Sequence, residues 1–263
     1  MISVESMFPM LPKHARKDFI PLYNSNCFMN RSLLEHGSKE WHQSRHGVLC
    51  ASEMGAFLGL DPHKSRKMVL ASKDTTAAPE ILSPMSERMC DVGKAYEPVA
   101  IYQTQLLFNT PLMDPGSLRF ASLTHHSLEG HPDAVSVDDD LNCWVPFEIK
   151  TRAFPNPYDS VPYESKFDVP FKHWIQLQCY MLMLNSPHGY LVSFSPMHGM
   201  RVFEQLFSRD LMDGFILPAV IKFQEGKISQ RVNSREKSAL VFLIDNIIKN
   251  FTHEEAFVPE IEI

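Results

Sequence analysis

The hydrophobic pattern predicts elements of two kinds. Phe171 to Leu184 is a strongly apolar run of helical length and predicts a buried helix. Tyr190 to Ser195 and Met200 to Phe207 alternate in polarity like the arms of a hairpin. A first hairpin is expected upstream. Its arms are Leu128 to Val137 and Cys143 to Thr151, joined by the acidic turn Asp138-Asp139-Asp140-Leu141-Asn142. Ser117 to Leu123 reads as a further strand. Helices are predicted from Ser38 to Arg45 and from Ala51 to Gly59, the second with Ser52 as N-cap. A long one covers Glu87 to Phe108, with Pro98 as a kink or restart. Arg209 to Gln224 and Ser234 to Phe251 close the chain.

Between these elements lie an irregular arm over 1–37, a Thr, Ala and Pro loop from Asp74 to Pro84, and a loop with four prolines over 155–170. Helices alternating with strands predict an α/β fold with a mixed central sheet flanked by helices. No linker divides it, so one domain over 1–263 is expected, with its core at about 38–210 and closing helices at about 209–251.

Composition adds exclusions. The chain is 44% hydrophobic and 21% charged, the mix of an ordinary globular protein. Glu5, Pro9, Pro12 and Lys13 break the first apolar run, so neither a secretory signal nor a membrane anchor is read there. Cys27, Cys50, Cys90, Cys143 and Cys179 are scattered, which suits reduced thiols in an intracellular protein. A net charge of -6 argues against coating nucleic acid by bulk charge, though not against a local basic channel.

The candidate chemistry lies in Gly130-His131-Pro132-Asp133-Ala134-Val135 and Phe147-Glu148-Ile149-Lys150. Phosphodiester cleavage is served by a divalent cation, and hard cations prefer carboxylate oxygens. On a strand Glu148 and Lys150 share one face while Phe147 and Ile149 point to the core, and the hairpin brings Asp133 alongside. Lys150 there can position a water and stabilise developing negative charge. Three further features accompany this motif. Glu97 in Gly93-Lys94-Ala95-Tyr96-Glu97-Pro98 is a candidate third ligand. Arg45 and Ser52 combine a guanidinium with a helix start, which suits phosphate. His173 and Gln176 are polar groups in an apolar helix and need partners. Taken singly, each has an ordinary explanation: a surface acid, a simple cap, core hydrogen bonds. His125, His126, His131 and Cys143 fit no standard zinc spacing.

In order, Trp41-x3-Arg45, Ala51-Ser52-Glu53, Gly93-x3-Glu97-Pro98, Pro132-Asp133, Glu148-x-Lys150 and Gln176-x-Gln178 resemble the lambda-exonuclease-like viral recombinases and alkaline nucleases. The resemblance spans about Trp41 to Tyr180 and implies a PD-(D/E)XK core. It further implies an Mg²⁺- or Mn²⁺-dependent 5′→3′ exonuclease of viral or phage recombination, which degrades one strand of duplex DNA and leaves 3′ single-stranded tails. Catalytic and metal roles fall on Glu97, Asp133, Glu148 and Lys150, with the Ile149 carbonyl as a further ligand. The 5′-phosphate pocket falls on Arg45, Ser52 and Gln176. Two positions depart from the family pattern: His131 stands where Ser is frequent and can still donate to phosphate, and His173 stands where Tyr is common. Implied partners are duplex DNA, a single-strand annealing protein and further copies of the chain in a ring, a trimer above all. The alternatives are an endonuclease acting on DNA or RNA, and a catalytically inert nucleic-acid-binding module.

Overall fold

A computed structural model describes residues 28–32, 40, 43, 45–74, 83–121, 127–138, 140–141, 143–152 and 161–257. Most of the expected arm, Trp41, and the centres of the two expected loops lie outside these residues. Within the arm, however, 28–32 is not irregular. It forms strand β1, Phe28–Ser32, antiparallel to β3, Ser117–Ala121.

The expected strand from Leu128 to Val137 is two strands. β4, Ser127–Gly130, pairs with β3 and with the two-residue β2, Leu49–Cys50. β5, Ala134–Asp138, pairs instead with β6, Cys143–Thr151, in a different sheet. The chain changes sheets at His131-Pro132-Asp133, where Pro132 supplies no N–H to continue a ladder. The first sheet has the order β1-β3-β4-β2 and was not foreseen.

The central sheet has the order β5-β6-β7-β8-β9, with β7 at His188–Ser195 and β8 at Gly199–Leu206. β6 and β7 run parallel and the other pairs antiparallel, so the sheet is mixed as expected. Its edge strand β9, Thr252–Phe257, escaped the sequence reading because Thr-His-Glu-Glu-Ala-Phe has few β-formers and follows a helix without a turn residue.

Around the sheets lie α1, Ala51–Phe57; α2, Arg66–Ser72; and α3, Pro84–Phe108. After β6 comes α4, Phe171–Leu184. After β8 come α5, Arg209–Leu211, a π-helical segment Met212–Ile216, and α6, Leu217–Gln224; α7 is Ser234–Phe251. α3 starts at Pro84 behind the N-cap Ser83, whose hydroxyl accepts from Ser86 N, and runs through Pro98 without a break. The carbonyl of Lys94 that Pro98 leaves without its helical donor belongs to an exposed residue. α1 begins two residues earlier than a Ser52 cap allows. Cys50 is its N-cap, with no side-chain cap bond, and Ser52 is an exposed second helical residue.

The central sheet is covered on both faces. Phe147, Ile149, Tyr190, Val192 and Val202 pack with Ala100 and Phe108 of α3. On the other face Leu191 and Phe203 join Trp174, Leu177 and Met181 of α4, and Ile244 and Ile248 of α7. α1 lies on α4 so closely that a Cβ on Gly55 would come within 2.5 Å of Lys172 Cβ. Among the described residues no helix is long and apolar enough to cross a membrane.

Candidate active site

Asp133 is the last residue of the sheet switch and precedes the first residue of β5. The β5–β6 ladder ends with Ala134 opposite Phe147. One step further, the Asp133 side chain replaces backbone as the partner, its Oδ2 accepting from Ile149 N at 2.6 Å. A short charge-assisted bond of this kind locks the carboxylate against β6. Glu148 and Lys150 follow on one face of β6, and the Lys150 ammonium is ion-paired with Glu148 Oε1.

Glu148 does not lie on an open sheet face: its side chain is fully buried. Its Oε2 has no hydrogen-bond partner among the described residues. Burial and the neighbouring Asp133 charge push the Glu148 carboxyl up to about 8, with Glu97 adding and Lys150 opposing. Burial, then the charge of Asp133, also raises Glu97 on α3. Burial alone would lower Lys150, but the charges of Glu148 and Asp133 outweigh it and raise the ammonium above its usual range. Three acids and one cation, drawn from α3, the sheet switch and β6, thus feel one another's charge.

The donor set suits a hard divalent cation, since it consists of carboxylate oxygens with one buried oxygen lacking a partner. The acids are not drawn into a closed cluster: among the described residues no three His, Cys, Asp or Glu side chains form ready-made metal-holding geometry. Asp133 and Glu148 are instead held by Ile149 N–H and Lys150.

The residues expected to bind phosphate fall into two groups. Arg45 donates from Nε to Cys50 Sγ at 2.9 Å and from Nη2 to Ser52 Oγ at 3.5 Å. Gln176 donates from Nε2 to the Tyr180 hydroxyl at 2.8 Å, which donates to the His131 carbonyl at 2.9 Å. Tyr180 thereby ties α4 to the sheet switch beside Asp133. Burial, then the charges of Glu148 and Asp133, hold its phenol well above its ordinary range. The His131 ring meets Asp114 at 3.2 Å and Ser117 at 3.4 Å, so its nitrogens face that pair. His173 lies beside Gln176 and near Lys150. Burial, then the charges of Lys150, Lys172 and Arg152, push it well below its usual range, so it stays neutral. Arg152 stacks over Tyr163 with 4.8 Å to the ring centroid, beside His173.

Sequence reasoning missed Tyr180 and Cys50. Tyr180 stands four residues after Gln176, the spacing at which helical side chains meet, so a signal was present. Cys50 had none, since nothing in the sequence distinguishes a thiol that receives Arg45 Nε and, at 3.4 Å, Lys73 Nζ.

No family model and no curated protein matches the chain. Solved structures do. An alkaline exonuclease from Laribacter hongkongensis superposes with a TM-score of 0.54 at 16% identity, covering 81% of this chain and 99% of that one. The chain shares its fold. The same exonuclease in complex with dAMP gives a TM-score of 0.50 at 16% identity, covering 81% of this chain and 95% of that one. The α/β fold with a mixed sheet, expected from the order of the elements, is thus one that this alkaline exonuclease also has.

Proposed function

We propose that this chain is a metal-dependent nuclease, a 5′→3′ exonuclease that degrades one strand of duplex DNA and leaves 3′ tails in recombination of the viral or phage kind. The observation that carries this reading is the fully buried Glu148, an oxygen without a partner, beside Asp133 and paired with Lys150. A buried carboxylate costs stability unless something cationic repays it, so such a group is seldom retained for structure alone. The shared fold with an alkaline exonuclease supports the same reading.

Asp133, Glu148, Glu97 and the Ile149 carbonyl would hold Mg²⁺ or Mn²⁺. Bound there, the cation supplies Lewis acidity and an activated water. The chain's own residues do the rest. Asp133 is oriented by Ile149 N–H, and Glu148 is held in a water-poor setting where charge interactions are strong. The Lys150 ammonium lies on the same face as Glu148, where it balances charge that builds on a scissile phosphate. Arg45 and Ser52, with Gln176, His131 and His173 across Tyr180, would receive the 5′-phosphate.

Digestion of end-labelled duplexes with and without Mg²⁺ tests the assignment. Glu148→Gln and Asp133→Asn are expected to lower the rate by about a hundredfold or more. Lys150→Ala should bind duplex nearly normally yet cut far more slowly, since it removes a transition-state partner. Full activity in EDTA, or normal cutting by either carboxylate variant, would sink the proposal. Internal cuts without release from the 5′ end would identify an endonuclease instead.

A further inference from the structure

Far along the chain from the acidic site, α6, the loop 225–233, the start of α7 and the end of α1 enclose a cavity of about 310 Å³. Its floor is apolar: Phe57, Leu58 and Leu240 are buried, and Phe215, Ile228 and Val232 half-buried. Its rim is cationic. Lys222, Arg231 and Lys237 are exposed around it, Lys227 is exposed and paired with Glu225 at 3.3 Å, and Arg66 is half-buried, while Glu236 is the acid in the lining. In a chain of net charge -6 such a gathering of cations reverses the local field.

The far wall is built, not loose. Arg66 donates to Phe57 O at 2.6 Å and to Ser229 O and Arg231 O at 3.3 Å each, with its guanidinium 5.0 Å from the Phe57 ring centroid. Val232 fills the space beside Gly59, whose positive φ of 81° turns the chain out of α1. The uncharged polar side chains of the lining serve nearby backbone: Ser229 Oγ accepts from Arg231 N within the loop, and Asn233 Oδ1 caps α7 by accepting from Arg235 N. Apolar depth with charge only at the rim is the anatomy of a peptide-anchoring interface. A nucleotide base would need polar groups within the cavity to read its edge, and a duplex is too wide to enter.

We propose that this groove binds an acidic segment of a partner protein, seating one or two bulky apolar side chains on the floor while carboxylates meet the lysine and arginine rim. Its size, at the small end of the roughly 300–1,000 Å³ of ligand pockets, admits those side chains and no more. The site is separate from the cleavage centre and from the reading proposed for it.

The probe is a fluorescein-labelled hexapeptide of four glutamates, one isoleucine and one phenylalanine, followed by anisotropy against the intact chain. Saturable binding is expected. It should weaken at least tenfold in Lys222→Glu/Lys237→Glu, and as much when serine replaces both apolar residues of the peptide. Circular dichroism checks that the variant is folded, and Lys222→Gln/Lys237→Gln, which removes the same two charges, substitutes for it otherwise. Three results overturn the proposal: no binding at millimolar peptide, equal affinity for the serine peptide, or unchanged affinity in the folded variants. A fourth is tighter binding of a labelled single-stranded oligonucleotide that the same variants abolish, which would make the groove a nucleic-acid site.

Discussion

A carboxyl group buried as deeply as Glu148 makes stability depend on pH. Its ordinary value is 4.5 and in the folded chain it rises to about 8. Between those values the folded state keeps a proton that the unfolded state has lost, so stability falls as pH rises through that window. Glu97 is raised as well and acts in the same sense, whereas the raised Lys150 changes stability only at higher pH. The melting temperature in EDTA should therefore fall from about pH 5 to about pH 8, and Glu148→Gln should flatten the decline. A flat wild-type profile, or an unchanged slope in the variant, contradicts this. Arg45 carries a second expectation at this scale. Its guanidinium is oriented by Cys50 and Ser52, a geometry that an ammonium cannot copy. Duplex bearing a 5′-phosphate should be digested faster than 5′-hydroxyl duplex, and Arg45→Lys should erase most of that difference despite keeping the charge. Equal digestion of both ends by wild type, with an unaffected Arg45→Lys, returns Arg45 to an ordinary structural role.

Among elements, the contact of α1 with α4 sets where the phosphate-side residues stand relative to the acids. Gly55 allows it: an added Cβ would lie 2.5 Å from Lys172 Cβ and 2.7 Å from Lys172 Cα, so the helices would have to separate. Gly55→Ala is expected to cost about 1–3 kcal/mol by overpacking, measured as a lower urea midpoint. An unchanged midpoint would mean that the two helices yield without loss. The Pro98 region shows how local rules were outweighed: packing of Ala100 and Phe108 on the sheet keeps α3 continuous through a residue that ends many helices. The split of the expected strand at Pro132 shows the opposite, a local breaker obeyed. Its consequence falls on the candidate site, since the break lets Asp133 bond Ile149 N across the strand end.

For the whole molecule, the ring of copies that the family resemblance implies would answer the charge balance if it enclosed the duplex. A chain of net charge -6 gains little from bulk attraction to phosphate, and topological enclosure would hold the substrate without it. Light scattering across a range of concentrations is expected to give the mass of an oligomer, a trimer by preference. A monomer mass throughout, or low processivity in a competitor-trap assay, contradicts it.

What the sequence determined by itself is local and periodic. The apolar run of α4, the alternation of β7 and β8, and the Glu148-x-Lys150 pair on one face of β6 follow from side-chain spacing and backbone geometry. The α/β class followed from the order of those elements. The tertiary structure alone decided whatever depends on partners far apart in the chain. That Glu148 is fully buried needs α4 laid over its face of the sheet, and that Tyr180 holds the switch needs the His131 carbonyl 49 residues away. Edge strand β9 and strands β1 and β2 of the first sheet depend on the same thing: their sequences form strands only because another strand offers its hydrogen bonds. Local spacing carries no record of which distant group will be that partner.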